Sequence, residues 1–87
     1  MSIMETKQEL PKWFNGTVYE DGDTVANRFT GEEIELNNIE LSMYDFVMGV
    51  TMVIEMGKYN DKLLSMHRKG LQWFRVHNPT AYMVLLD

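Results

Sequence analysis

Between positions 38 and 57 apolar residues recur at helical spacing on two sides of the chain, which predicts a helix that is apolar nearly all round. One broad stripe comprises Ile39, Met43, Phe46, Val47, Val50, Val53 and Ile54. The opposite face carries Leu41, Tyr44, Met48, Met52 and Met56, interrupted only by Glu40, Asp45, Thr51 and Glu55. Asn37 or Asn38 is the expected N-cap of this helix, and Gly57 is its expected end.

A second helix is predicted over about residues 61–77, because its apolar residues occupy one half of the helical wheel. The connection at 58–60 is too short for anything but an antiparallel or steeply crossed neighbour, and we expect the antiparallel arrangement. Gly70 lies within the apolar half, which indicates close approach of the backbone of another helix. Asn78–Pro79 then ends the second helix and begins a short third helix over 79–86.

Residues 1–14 are interpreted as an N-terminal arm, whose large apolar side chains are expected to dock on the rest of the chain. Residues 17–36 alternate apolar and polar positions around turn sequences, which predicts a small β-hairpin region. Asp21–Gly22 is the favoured turn, since this pair suits a type I′ hairpin, and Thr30–Gly31 is a second candidate. The predicted fold is mainly α with a small β-hairpin region, and residues 15–87 form one small domain.

A chain of 87 residues buries only about 64% of its surface on folding, so its core is small. It contains no cysteine, which leaves oligomerisation as the remaining means of stabilisation. Methionine-rich faces suit surfaces that must fit a partner. We therefore predict an interface, most simply that of a homodimer, formed by Leu41, Tyr44, Met48, Met52 and Met56. In the alternative interpretation, the hairpin and the C-terminal tail cover this face as ordinary core.

The net charge of −5 is divided unevenly along the chain. Residues 1–57 hold three basic and eleven acidic residues, whereas residues 58–87 hold five basic and two acidic ones. In one interpretation both charged segments are solvated surface. In the other, the acidic segment lies on the basic helix, either within one chain or between two chains. A possible secondary basic face comprises Lys62, Arg68, Lys69 and Arg75. This face could belong to the recognition helix of a helix-turn-helix, but the net negative charge of the chain disfavours binding to nucleic acid. The apolar run 46–54 is shorter than the roughly 20 residues of a membrane span, so no membrane partner is expected.

No arrangement of residues carries a catalytic or metal-binding signature. His67 and His77 lack the i,i+3 or i,i+4 spacing of a helical metal pair, and His67 falls among apolar positions as a core or interface histidine. Asp45 and Glu55 would be about 15 Å apart along a helix, too far for a carboxylate pair. We therefore predict no catalytic residues, no metal, no cofactor and no enzymatic activity.

Three segments together resemble a group of small proteins, with no assigned activity, that are encoded by tailed phages of marine cyanobacteria and related ocean bacteria. They read FTGEEIEL (29–36), MYDFVMG (43–49) and GLQWFRVHNPTAYMVLLD (70–87). The resemblance implies an intracellular product of infection that either acts on a bacterial host, in the host cytoplasm, or is built into the virion. The sequence thus predicts a non-enzymatic, homo-oligomeric protein-interaction module that acts on a host protein. The alternatives are a structural or assembly component of the virion and a helix-turn-helix-like nucleic-acid-binding regulator.

Overall fold

The computed structural model describes residues 8–86, in which two short strands precede three helices. The elements are β1 (Asp23–Ala26), β2 (Glu33–Leu36), α1 (Asn38–Glu55), α2 (Asp61–His77) and α3 (Pro79–Leu85). The prediction of a mainly helical fold with a small hairpin is confirmed, and the helix ends differ from the predicted ones by at most two residues. The first half of the predicted arm, residues 1–7, lies outside the described residues. Among residues 8–86, no helix is both long and apolar enough to cross a bilayer.

Local side chains determine where α1 begins and ends. The Asn37 side chain accepts a hydrogen bond from the Glu40 backbone nitrogen at 2.8 Å, and the Glu40 carboxylate accepts one from the Asn37 nitrogen at 3.0 Å. This reciprocal pair is a capping box, which satisfies two backbone donors that the first turn would leave free. At the other end Gly57 adopts φ +81°, a backbone conformation that glycine tolerates without strain.

Helices α1 and α2 pack antiparallel, as predicted. Thr51 contacts His67 near one end of the pair, and Glu40 contacts Asn78 near the other. Between them the buried Gly70 lies so close to α1 that a Cβ atom there would be 2.7 Å from Val47 Cγ2. Helix α1 therefore does approach closely at Gly70, but the groups that lie there are side chains and not the backbone that the sequence predicted.

The core lies where α1, α2, α3 and β2 meet. Its buried apolar residues are Leu36, Met43, Val47, Val50, Trp73, Phe74, Ala81 and Leu85. Phe46, on the same stripe of α1, packs instead against the arm, with ring centroids 5.9 Å from Trp13 and 5.3 Å from Phe14. The described part of the arm thus docks on α1 as expected.

The prediction of a hairpin turn at Asp21–Gly22 is wrong. β1 pairs with β2 in antiparallel register, with Val25 opposite Ile34, so the hairpin turn is the second candidate, which contains Gly31. Gly31 adopts φ +79°, whereas Gly22 is not among the described glycines with positive φ. A Cβ at Gly22 would collide with the Leu36 carbonyl oxygen, so this glycine permits close backbone approach.

Residues 17–20 would form the first strand of a hairpin with its turn at Asp21–Gly22, but in the structure Tyr19 contacts α1 instead. The Tyr19 backbone nitrogen donates to Ser42 Oγ at 2.9 Å, and Asn38 Nδ2 donates to the Tyr19 carbonyl oxygen at 3.4 Å. These side-chain contacts satisfy the backbone groups that a strand partner would have used.

Candidate protein-binding surface

The outer face of α1 is divided into a covered half and an exposed half. Leu41, Tyr44 and Met48 are half-buried, whereas Met52 and Met56 are 56% and 64% exposed. The sequence placed these five residues on one surface and left open whether it is an interface or core. The partial burial of Leu41, Tyr44 and Met48 matches the interpretation of this face as ordinary core. Met52 and Met56 are exposed, so an interface remains the prediction for these two residues.

The first half faces α2, the hairpin and the C-terminal helix, which line one cleft together with Tyr44 and Met48. Tyr44 lies edge-on to Phe74 with ring centroids 6.4 Å apart, an arrangement that aromatic pairs prefer. Asn27 Nδ2, at the end of β1, donates to the Val84 carbonyl oxygen at 2.8 Å and so attaches the hairpin to α3. Asn27 Oδ1 also accepts from the Phe29 and Thr30 backbone nitrogens at 2.7 and 3.0 Å, which fixes the turn that follows.

An ion pair holds the tip of the hairpin beside the exposed half of α1. Arg28 Nη2 lies 2.8 Å from Glu55 Oε2, and the guanidinium carbon lies 4.8 Å from the centre of the Phe29 ring. Both partners of the pair are exposed, so its contribution to stability is about 0–1 kcal/mol, and its main effect is orientation. Phe29 itself is 82% exposed. Phe29 was not among the predicted interface residues, although an aromatic residue beside a Thr-Gly turn was a signal available in the sequence.

A cleft of about 220 Å³ opens between the hairpin tip and the three helices. Its lining includes Phe29 at the hairpin tip, Tyr44 and Met48 on α1, Leu71 on α2 and Leu86 after α3. Burial raises the pKa of Tyr44, an effect that the nearby positive charge of Arg28 opposes. The lining of the cleft is therefore mixed, since polar residues such as Arg28 and Thr51 lie beside the apolar ones, and the exposed Phe29 ring lies at its edge.

One polar pair lies in the same cleft. Thr51 Oγ1 donates to the Val47 carbonyl oxygen and is 2.8 Å from His67 Nε2. A hydroxyl has a single proton, so His67 must be the donor to Thr51 and cannot remove a proton from it in this arrangement. Burial also lowers the pKa of His67, which favours the neutral imidazole. His67 is thus a hydrogen-bonded histidine of the helix interface, as its position in the sequence indicated.

The predicted basic face lies on the exposed side of α2. Lys62, Arg68, Lys69 and Arg75 are all exposed. Within residues 8–86 the only ion pair is Arg28–Glu55, so no described carboxylate of the acidic hairpin region covers this face. The guanidinium carbon of Arg75 lies 5.8 Å from the centre of the Tyr82 ring. Across the same described residues, no three His, Asp or Glu side chains are grouped as a metal site would require.

Comparison of the chain with protein-family models, with curated proteins and with solved structures found no match.

Proposed function

We propose that this protein is a non-enzymatic protein-interaction module that forms a homodimer through its exposed apolar surface. We name this surface the methionine patch and define it as Phe29, Met48, Met52 and Met56. The observation that carries the proposal is the exposure of Phe29, Met52 and Met56, each more than half accessible. Aromatic residues and methionine are enriched in protein interfaces, and contiguous exposed apolar residues mark such sites in small proteins.

The shape of the patch supports a second copy of the chain as its occupant. In a dimer with a two-fold axis, each copy presents the same surface, so a projecting group must lie beside the recess that receives it. Phe29 projects at the edge of the 220 Å³ cleft, and Met48 lines that cleft. Phe29 of one chain can therefore enter the cleft of its partner while the partner's ring enters the first.

The energetics favour a small interface with a few dominant residues. Stable interfaces bury about 800 Å² per partner, with aromatic residues carrying much of the binding energy at the centre. Phe29 and Met52 would form that centre. The Arg28–Glu55 ion pair, which orients Phe29, would lie at the solvated margin. Polar residues outside this ion pair would complete the rim of the dimer interface.

Sedimentation of matched variants tests this proposal. The wild-type chain should sediment as a dimer at micromolar concentration, and Met52→Glu should sediment as a monomer because a buried, unpaired carboxylate is strongly unfavourable. Val18→Glu is the control, because Val18 is 61% exposed and precedes the Tyr19 contact with Ser42, away from the patch. It should remain dimeric. A wild-type monomer, or a dimeric Met52→Glu that remains folded, would contradict the proposal.

The dimer would act on another protein during phage infection, in the host cytoplasm. The resemblance of 29–36, 43–49 and 70–87 to phage-encoded proteins supports this role. Quantitative mass spectrometry of purified particles separates it from the alternative, a component of the virion. Absence from particles, together with a specific host protein captured by the wild type, is the expected result. A fixed copy number per particle would favour the virion role.

A further inference from the structure

A second recess lies on the side of the molecule where the arm meets α2. It has a volume of about 520 Å³, within the range of ligand-binding pockets. The arm contributes Pro11 and Trp13, and α2 contributes Trp73 and Val76, with Arg68 and Lys69 toward its N-terminal end. The lining residues of α2 extend from position 68 to 77, so the recess is a groove about 13 Å long that follows the helix.

The apolar wall of this groove is held in place by contacts behind it. Trp73 Nε1 donates to the Glu9 carbonyl oxygen at 3.1 Å, which ties the arm to α2. Trp13 packs against Phe46 of α1 with ring centroids 5.9 Å apart. The two tryptophans are therefore fixed before any ligand arrives, which reduces the entropy lost on binding.

The polar groups of the groove lack partners within the described chain. Arg68 and Lys69 are exposed and form no ion pair with any carboxylate of residues 8–86. His77, whose ring stacks on Trp73 at 4.5 Å between centroids, has a buried Nδ1 with no hydrogen-bond partner in that same range. The groove thus offers two unpaired cations at one end and an apolar wall along its length.

We propose that this groove binds a short extended segment of an acidic protein. A segment of about four residues spans 13 Å at the rise of a β-strand. A large apolar side chain of the ligand would lie between Trp13 and Trp73. An Asp or Glu carboxylate would bind Arg68 and Lys69. Charge complementarity therefore favours an acidic ligand.

Selection from a random-peptide library against the full chain tests this assignment without prior choice of ligand. The enriched peptides should combine an acidic residue with a large apolar one. Affinity for the best peptide can be read from intrinsic fluorescence, because both tryptophans of the chain line the groove. Arg68→Glu/Lys69→Glu should weaken binding by about tenfold or more, since two attractive charges become repulsive.

The control is Lys58→Glu/Lys62→Glu, which makes the same change in net charge at exposed residues that do not line the groove. It should bind the peptide within about twofold of the wild type. A monomeric Met52→Glu should also bind normally, so failure of the dimer and failure of this proposal are distinguishable. No enrichment, enrichment of basic or purely apolar peptides, or equal weakening by both double variants would overturn the proposal. Displacement of the peptide by a single-stranded oligonucleotide of similar affinity would assign the groove to nucleic acid instead.

Discussion

Replacement of Glu40 by alanine should destabilise the protein more than any other single change of an acidic residue described here. Glu40 is 6% exposed, and its carboxylate accepts hydrogen bonds from three parts of the chain. The donors are the Asn37 backbone nitrogen at 3.0 Å, Gln8 Nε2 at 2.8 Å and Asn78 Nδ2 at 3.0 Å. The arm, the start of α1 and the junction of α2 with α3 therefore meet at one side chain.

The expected magnitude follows from what each donor loses. Hydrogen bonds to charged groups contribute about 1.5–3 kcal/mol each, but donors that can reach water recover much of that value. Asn37 is exposed, whereas Gln8 and Asn78 are half-buried, so we expect a total loss of about 2–4 kcal/mol. The whole free energy of unfolding at this chain length is on the order of 4–13 kcal/mol. The loss would therefore be a large fraction of the total.

Urea denaturation followed by circular dichroism measures this loss. The midpoint for Glu40→Ala should fall by about 1–3 M relative to the wild type. Glu40→Gln can keep the oxygen that accepts from the Asn37 nitrogen, but its amide nitrogen cannot accept from Gln8 Nε2 or Asn78 Nδ2, so its loss should also be about 2 kcal/mol or more. Glu35→Ala, at an exposed position of β2, should lie within about 0.5 kcal/mol of the wild type. A Glu40→Ala midpoint indistinguishable from that of Glu35→Ala would show that the hydrogen bonds accepted by Glu40 do not stabilise the fold.

Three further changes test the packing of the helices and the electrostatics between them. Gly70→Ala should lower the free energy of unfolding by about 1 kcal/mol in urea denaturation, because overpacking against Val47 exceeds the gain in helix propensity. Val47→Ala should destabilise the Gly70→Ala variant less than it destabilises the wild type, and simple additivity of the two losses would contradict this. Val50→Glu should unfold the domain by circular dichroism, because Val50 is 7% exposed, whereas Met52→Glu should keep the helical signal; equal unfolding would place Met52 in the core. Because burial lowers the pKa of His67 below 6.5, its neutral form contributes stability that is present above that pH and is lost as the pH falls toward the folded-state value. Urea curves between about pH 7.5 and pH 5 should therefore show a steeper decline for the wild type than for His67→Gln, and parallel declines would exclude this linkage.

The helices were predictable because local chemistry determines their ends. Asn37 and Asn60 accept from backbone nitrogens three residues later, and Pro79 follows the Asn78 cap, so each signal is contained within a few residues. Gly57 likewise provides a left-handed residue at the end of α1. Such signals do not depend on the rest of the fold, and periodicity supplied the remaining evidence.

The hairpin turn and the division of the α1 outer face depend on contacts between distant segments. Gly22 suits a type I′ turn by composition, but in the fold it accommodates the backbone at Leu36 and leaves the turn to Gly31. Periodicity also placed Met48 and Met52 on one face, and it could not show that Met48 lines the cleft beside the hairpin tip whereas Met52 remains exposed. The groove beside Trp73 was missed for the same reason, because the arm that forms its other wall comes from the opposite end of the chain.

Intermolecular nuclear Overhauser effects test the proposed dimer most directly. In a mixture of chains with isotope-labelled methionine methyls and unlabelled chains, an isotope-filtered spectrum reports only contacts between copies. The account predicts cross-peaks between the Met48 methyl of one chain and the Phe29 ring of another, because each ring should occupy the cleft of its partner. The absence of intermolecular cross-peaks at all concentrations, or cross-peaks from Met83 in place of Met48, would contradict it.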